Sequence, residues 1–294
     1  MILVVGATGM LGSEICRRLA AAGKPVRALV RATSDQAKVE ALRKLGAEVV
    51  QGDLRDRASL DAACRGATAV ISTVSSMPFS YQAGQNDIQT VDIQGQKSLI
   101  DAARAAGVSH FVYTSFSMNL DFPLCNAKRA VESYLKDSGL AYTILRPGYF
   151  MQTWLSPVVG FDAANAKAQV YGSGENPISF IAYPDVAEFA VRVLDHPAAR
   201  NATIVLGGPE ALSQLQTIRV FEEVGGRSFE VQHVPVAALE EQQRGAPDPM
   251  MQSFSGLMRY YAAGDPIDMR ETLKAFPVQL TSVMDYARSV LGAA

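Results

Sequence analysis

The chain has 294 residues, with 27 Lys and Arg against 29 Asp and Glu, for a formal net charge of -2. Apolar residues make up 48% and charged residues 19%, which excludes a disordered polyelectrolyte and leaves no global basic field for a nucleic-acid backbone. At roughly 100–200 residues per domain, the length predicts two domains or one large α/β unit with an appendage.

The first half alternates short β-branched runs with helical patterns, the mark of stacked βαβ units. Strands are predicted at Ile2–Val5, Val26–Val30, Glu48–Val50, Ala69–Val74, His110–Thr114 and Ala141–Leu145. Helices are predicted near Leu11–Ala22, Asp35–Leu45, Ala58–Cys64, Asp87–Ala106 and Asn126–Asp137, each followed by a glycine: Gly23, Gly46, Gly66, Gly107 and Gly139. The fold class expected is α/β, a Rossmann-type doubly wound parallel sheet with a smaller, mostly helical C-terminal substrate-binding part. Residues 1–150 form the nucleotide-binding domain in this reading. Residues 151–294 form the substrate-binding or lid region, with the chain returning to the sheet near 185–206. There a helix at Asp185–Leu194 precedes a strand at Ala202–Leu206. A helix near Ser213–Val224, a strand at Ser228–Val234 and a helical tail follow, with residues 245–249 as a loop between two tail helices.

Cys16, Cys64 and Cys125 stand alone, with no CxxC pair and no nearby His, so a reducing compartment is expected and neither a disulfide frame nor a metal site. The chain starts directly on an apolar strand, which leaves no room for a signal or transit peptide. The longest charge-free stretch, Gly66 to Asn86, is broken by Pro78 and Gly84 and rich in Ser, and does not read as a membrane span. These features predict a cytoplasmic protein.

Gly6-Ala7-Thr8-Gly9-Met10-Leu11-Gly12 follows the first strand and opens the first helix. Gly6 permits the tight turn, Gly9 lets the backbone approach a pyrophosphate, and Gly12 packs the helix on the sheet. The positive helix end then receives the phosphate. At the end of the second strand stands Arg31 and no acid, followed by Thr33 and Ser34. A guanidinium suits a ribose 2′-phosphate, so NADP(H) is the expected cofactor and NAD(H) the second choice.

GATGMLG, then VRALVR, then Gly52-Asp53-Leu54 resemble the NmrA-like branch of the atypical short-chain dehydrogenases/reductases. So do Lys128-Arg129-Ala130-Val131-Glu132, the run from Gly139 to Gly148, and Tyr183-Pro184-Asp185-Val186-Ala187. That branch includes isoflavone-reductase-like enzymes, NAD(P)H:quinone oxidoreductases and inactive redox-sensing regulators. The resemblance covers about the first 195 residues. It implies that Asp53 and Leu54 lie along the adenine, that Thr73 and Val74 line the nicotinamide-side ribose, and that Pro147, Gly148, Tyr149 and Phe150 sit against the nicotinamide. For Asp53 an ordinary turn carboxylate is an equal alternative.

The superfamily's usual acid is a tyrosine four residues before the lysine, on the same helix face. Here that position is Leu124, so a standard alcohol dehydrogenase is disfavoured. Lys128 remains as ribose ligand and proton donor, since a partly desolvated lysine is a general acid of lowered pKa. Ser115 follows the fifth strand where the superfamily keeps a polarising hydroxyl, and Ser117 is the other candidate. Tyr113 reads as core, and Tyr149 as a remote substitute for the lost phenol. His110 reads as surface at a strand entry, and His196 and His233 have no nucleophile or metal partner by spacing. Met77, Phe79, Phe116, Phe150, Met151 and Trp154 fall in loops after the strands and predict an apolar pocket for an aromatic or quinone-like substrate. Met250, Met251, Phe254, Leu257, Met258, Tyr260 and Tyr261 read as an amphipathic helix, used for packing or, second, as a lid or dimer contact. The function expected is hydride transfer from NADPH to a small unsaturated acceptor, by a monomer or homodimer. A cofactor-binding sensor or regulator is the alternative.

Overall fold

The computed structural model describes residues 1–77 and 80–292. Its strands β1 (Ile2–Val5), β2 (Val26–Val30), β3 (Glu48–Gln51), β4 (Ala69–Ser72), β5 (His110–Thr114) and β6 (Tyr142–Pro147) fall where the apolar runs predict them. With a seventh strand, Ala202–Leu206, they form one sheet in the order Ala202–Leu206, β6, β5, β4, β1, β2, β3. The ladders of β1 with β2 and β4, β2 with β3, β4 with β5, and β5 with β6 are all parallel. β1, β4 and β5 are buried along their whole length, as continuous apolar strands between two helical layers must be. The chain reverses its winding between β1 and β4, and a doubly wound sheet holds ligands beyond the strand ends at that point.

The connecting helices are α1 (Met10–Ala21), α2 (Gln36–Lys44), α3 (Arg57–Cys64), α4 (Gln96–Ala105) and α5 (Pro123–Asp137). Asp35 and Asp56 cap α2 and α3 through backbone N–H groups. All five predicted cap glycines have positive φ. The helix expected over Asp87–Ala106 is divided: Ile88–Gly95 is a π-helix and only Gln96–Ala105 is α-helical. The wider turn is held by side chains at its C-terminal half. Asp92 accepts from the Ser76 backbone N–H and hydroxyl, while Gln96 accepts from the Ser72 hydroxyl and donates to the Val74 carbonyl. Gly95 also permits close approach, since a Cβ there would lie 2.8 Å from Leu54 Cβ.

His110 is buried, against its expectation as a surface residue. Its Nε2 lies 2.8 Å from the Thr143 hydroxyl, which itself donates to the Ala199 carbonyl, so the ring is the donor to Thr143. Burial first, and the Arg200 charge second, hold its pKa below the ordinary 6.5. The folded state therefore prefers neutral imidazole, and its full stability is present above pH about 6.5 and lost as pH falls through the depressed value. We expect stability to fall over that window by at most about 1.4 kcal/mol per pH unit. The His110→Gln variant, which retains a donor toward Thr143, should flatten that slope in denaturant titrations; equal slopes would remove His110 as the cause.

The chain forms two compact units. The first comprises Met1–Phe116, Asn126–Arg146 and Val186–Ile204, the second Ser117–Cys125, Pro147–Asp185 and Val205–Ala294. The first is built on the seven-stranded sheet, with Leu3, Val5, Val70, Phe111, Tyr113 and Ile144 in a core shared with Leu99, Ile100, Val131 and Leu135 of the helices. The second holds a three-stranded sheet of Glu230–Val234, Lys167–Tyr171 and Phe161–Asp162. Lys167–Tyr171 escapes prediction because it alternates exposed and buried positions over five residues without a β-branched run. Helices at Gln214–Gly225, Val236–Arg244, Pro249–Ala263 and Val283–Leu291 complete this unit. Met258 and Tyr261 are buried, so the predicted amphipathic tail helix packs internally. Among the described residues, no helix is long and apolar enough to cross a membrane.

Candidate active site

Gly6 leaves β1 with φ +88°, and a Cβ there would lie 2.5 Å from Thr73 Oγ1 and 3.1 Å from Val74 Cγ2. The Gly9 N–H donates to the Gly6 carbonyl (2.9 Å) and closes the turn. A Cβ on Gly12 would meet that same carbonyl oxygen at 2.1 Å, so only glycine lets α1 seat on the loop. Gly9 caps α1 without a side-chain bond, and the first turn contains no acid. Its orphan N–H groups and positive end are thus open to an anion. Thr8 is half-buried, Gly9 and Met10 are exposed, and Leu11 is packed inside.

Beyond β2, the Arg31 backbone N–H donates to the Ser34 hydroxyl (3.0 Å), and its exposed guanidinium donates to Asn86 Oδ1 (3.1 Å). Beyond β3, the Asp53 carboxylate is gripped by both guanidinium arms of Arg55 (2.8 and 2.7 Å) and by the Arg55 backbone N–H. The Arg55 hydrogen bond holds the Asp53 pKa below its usual value. Arg55 also donates to the Gln85 carbonyl (2.8 Å), so Arg31 and Arg55 both reach the Gln85–Asn86 segment. Leu54 is buried in the core.

Beyond β4, the Thr73 hydroxyl donates to the Val5 carbonyl (3.2 Å). The Val74 carbonyl receives Gln96 Nε2 at 3.2 Å and Lys128 Nζ at 3.5 Å. Lys128, on α5, is 4% exposed; its ammonium lies 3.6 Å from Asp92 Oδ1 and 5.3 Å from the centre of the Tyr113 ring. Burial lowers its pKa, opposed by the Asp92 charge. Tyr113 is core, as expected, with its pKa pushed far up by burial, so it stays a phenol. Asp92 was missed by sequence reasoning, although a signal existed. Asp92 and Gln96 occupy positions of the apolar face marked by Ile88, Val91 and Leu99, where a polar residue needs a partner.

The Ser115 hydroxyl is buried beside Glu132 and helps to stabilise that carboxylate. Glu132 is bound by Arg129 and Arg146. Burial pushes its carboxyl up, but these bonds, Arg146 foremost, leave it below the usual value. Arg129 also donates to the Phe116 carbonyl (2.6 Å) and lies over the half-buried Phe116 ring. Met77 is buried in the loop after β4, and Phe79 lies outside the described residues.

The remaining predicted residues belong to the second unit. Leu124 is buried there, and its backbone N–H donates to the Ser253 hydroxyl (3.1 Å). The Ser117 hydroxyl donates to Asp265 (2.6 Å). Pro147 is buried; Gly148 leaves room for Ser179 and Ile267, each 3.0 Å from where a Cβ would stand. Tyr149 is fully enclosed by Trp154, Phe180, Tyr260 and Tyr261, with burial pushing its pKa far up. Its phenol is packed as core. Met151 is fully buried and Trp154 nearly so, while Phe150 is half-buried and packs on Tyr183 at 4.2 Å.

The sequence profile of the NmrA-like family matches residues 1–287. The chain is 32% identical to an NAD(P)H azoreductase of Xenophilus azovorans over 94% of its own length and 92% of that protein. It is 33% identical to the photosystem II assembly factor Ycf39 of Trieres chinensis over 81% of its length and 73% of that protein. Among solved structures, an NADPH-dependent quinone oxidoreductase from Escherichia coli, complexed with NADPH, superposes with a TM-score of 0.76 at 25% identity, covering 99% of both chains. The Citrobacter triphenylmethane reductase has the same fold, with a TM-score of 0.80 at 21% identity over 99% of this chain and 100% of that one. The glycine loop, the parallel sheet and the match along nearly the whole length agree, and the chain belongs to the NmrA-like family.

Proposed function

We propose that the protein is an NADPH-dependent reductase that passes a hydride to a small unsaturated acceptor of aromatic or quinone-like character. One observation carries this reading. Val74 touches both halves of the site, its side chain against Gly6 and its carbonyl toward Lys128. The glycine loop and the buried ammonium are therefore neighbours at the ends of β1 and β4. The residues fit a dinucleotide: the loop leaves no room for a Cβ at Gly6 or Gly12, and the uncapped N-terminus of α1 suits a pyrophosphate. Gly6, Thr8, Gly9, Met10, Leu11 and Gly12 would hold that group, Arg31 with Ser34 the 2′-phosphate, and Thr73, Val74, Ser115 and Lys128 the nicotinamide-side ribose. Asp53 and Leu54 would flank the adenine.

Bound NADPH would supply the hydride. Lys128 then holds the oxygen or nitrogen of the acceptor that becomes anionic and gives it a proton. A quinone or azo acceptor spreads that charge by conjugation, so it suffers little from Leu124 in place of a phenol. Met77 and Phe116 are the proposed acceptor contacts in the first unit. The azoreductase relative supports this chemistry. A second reading, a cofactor-binding assembly or regulatory factor without turnover, is favoured by Leu124 and by the similarity to Ycf39.

The test is titration with NADPH and NADH, followed by nicotinamide fluorescence, and then addition of quinones, azo dyes and enones. We expect tighter binding of NADPH and its oxidation by at least one acceptor. Binding without oxidation across the panel would favour the second reading, and failure to bind either nucleotide would overturn both.

A further inference from the structure

We propose that Asp92 is the positioning residue of this site: fixed by Ser76, it holds the Lys128 ammonium beside the Val74 carbonyl in its cationic form. This inference rests on the role given above to Lys128.

The two carboxylate oxygens do different things. Oδ2 takes both bonds from Ser76, from its backbone N–H at 3.0 Å and from its hydroxyl. Oδ1 has no hydrogen-bond partner among the described residues and lies 3.6 Å from Lys128 Nζ. Asp92 is wholly buried and Lys128 nearly so, which makes an uncompensated charge on either costly. Yet both contacts of the ammonium, 3.6 Å to Asp92 and 3.5 Å to the Val74 carbonyl, exceed a normal hydrogen bond. Asp92 thus supplies charge to Lys128 without saturating its N–H groups, which stay available to a ligand oxygen.

The other groups facing the ammonium do not replace it. Tyr113 of β5 offers its ring face, and on α5 itself Glu132 is already bound by Arg129 and Arg146. A buried lysine without a carboxylate loses its proton near or below neutrality. The π-helix is what delivers this carboxylate: Ile88–Gly95 places Asp92 on Ser76, and the following α4 places Gln96 on Ser72 and Val74.

The experiment follows the Lys128 amine by nitrogen-15 NMR, its signal assigned by loss in Lys128→Arg, in the parent and in Asp92→Asn. The expected result is a Lys128 midpoint at least one pH unit lower in Asp92→Asn, a tenfold change in proton affinity. The alkaline limb of kcat/KM should move by the same amount. A midpoint unchanged within 0.2 units, on the order of a twofold-or-smaller change in affinity, would overturn the proposal. Should Asp92→Asn fail to fold, the parent decides: the Asp92 carboxyl carbon must shift with the Lys128 midpoint, and an unresponsive carboxyl overturns the inference. The NMR readout needs no turnover. Intact coupling without NADPH oxidation sinks the reductase reading alone, whereas oxidation with uncoupled titrations sinks the role of Asp92 alone.

Discussion

Gly12→Ala should weaken NADPH binding by more than tenfold and destabilise the fold. The new Cβ would stand 2.1 Å from the Gly6 carbonyl oxygen and 2.7 Å from its carbon, both backbone atoms of the loop, so the loop and α1 must separate. Within a helix, alanine ordinarily gains about 0.5–1 kcal/mol over glycine. Overpacking costs about 1–3 kcal/mol, so the clash wins and the net effect is a loss. Because the displaced atoms are those that shape the anion site, affinity falls with stability. Fluorescence titration and thermal denaturation of the variant check both. An unchanged NADPH affinity would show that the loop tolerates the shift and that the pyrophosphate is held elsewhere.

The second large effect is expected at Lys128. Lys128→Met should lower kcat by about 10²–10⁴-fold at saturating NADPH, the range for losing a positioned general acid. It should also destabilise the fold by about 3–5 kcal/mol, because it leaves Asp92 buried without its counter-charge. These two losses have different cures. The double variant Asp92→Asn/Lys128→Met replaces the ion pair with neutral groups and should recover most of the stability with none of the turnover, since replacing both partners of a buried pair is often close to neutral. Steady-state kinetics and denaturant unfolding on the three proteins separate the roles. Full activity of Lys128→Met would remove Lys128 from the chemistry, and Ser115, a buried hydroxyl just beyond β5, would take its place as the group to test.

Arrangement along the chain was legible wherever the signal is local. The six strands of the first half are short runs of four to six residues, and in β1, β4 and β5 burial on both faces is what makes the apolar runs continuous. The positive φ of Gly23, Gly46, Gly66, Gly107 and Gly139 follows from the need of a helix end for a left-handed residue. The tight fit at Gly6 and Gly12 was readable from spacing between strand and helix, since no other residue packs there.

Failures occurred where a residue's partner is distant. His110 looks like a polar strand entry until Thr143 and Ala199 close over it from later segments. The enclosure of Tyr149 is likewise invisible locally, because Tyr260 and Tyr261, which pack on its ring, come more than a hundred residues later. Asp87–Ala106 reads as one amphipathic helix because periodicity cannot report the wider turn that Ser72, Ser76 and Leu54 impose on it.

The sequence by itself determined the alternation of strands and helices in the first half, the glycine loop, the cationic Arg31 beyond β2 and the absence of the usual phenol at Leu124, because each depends on residue type and spacing alone. Only the tertiary structure brought Asp92 to Lys128. Asp92 and Lys128 are 36 positions apart, and what makes them a pair is shared burial: at 3.6 Å and shielded from bulk solvent, a carboxylate and an ammonium that would each be ordinary on a surface interact strongly.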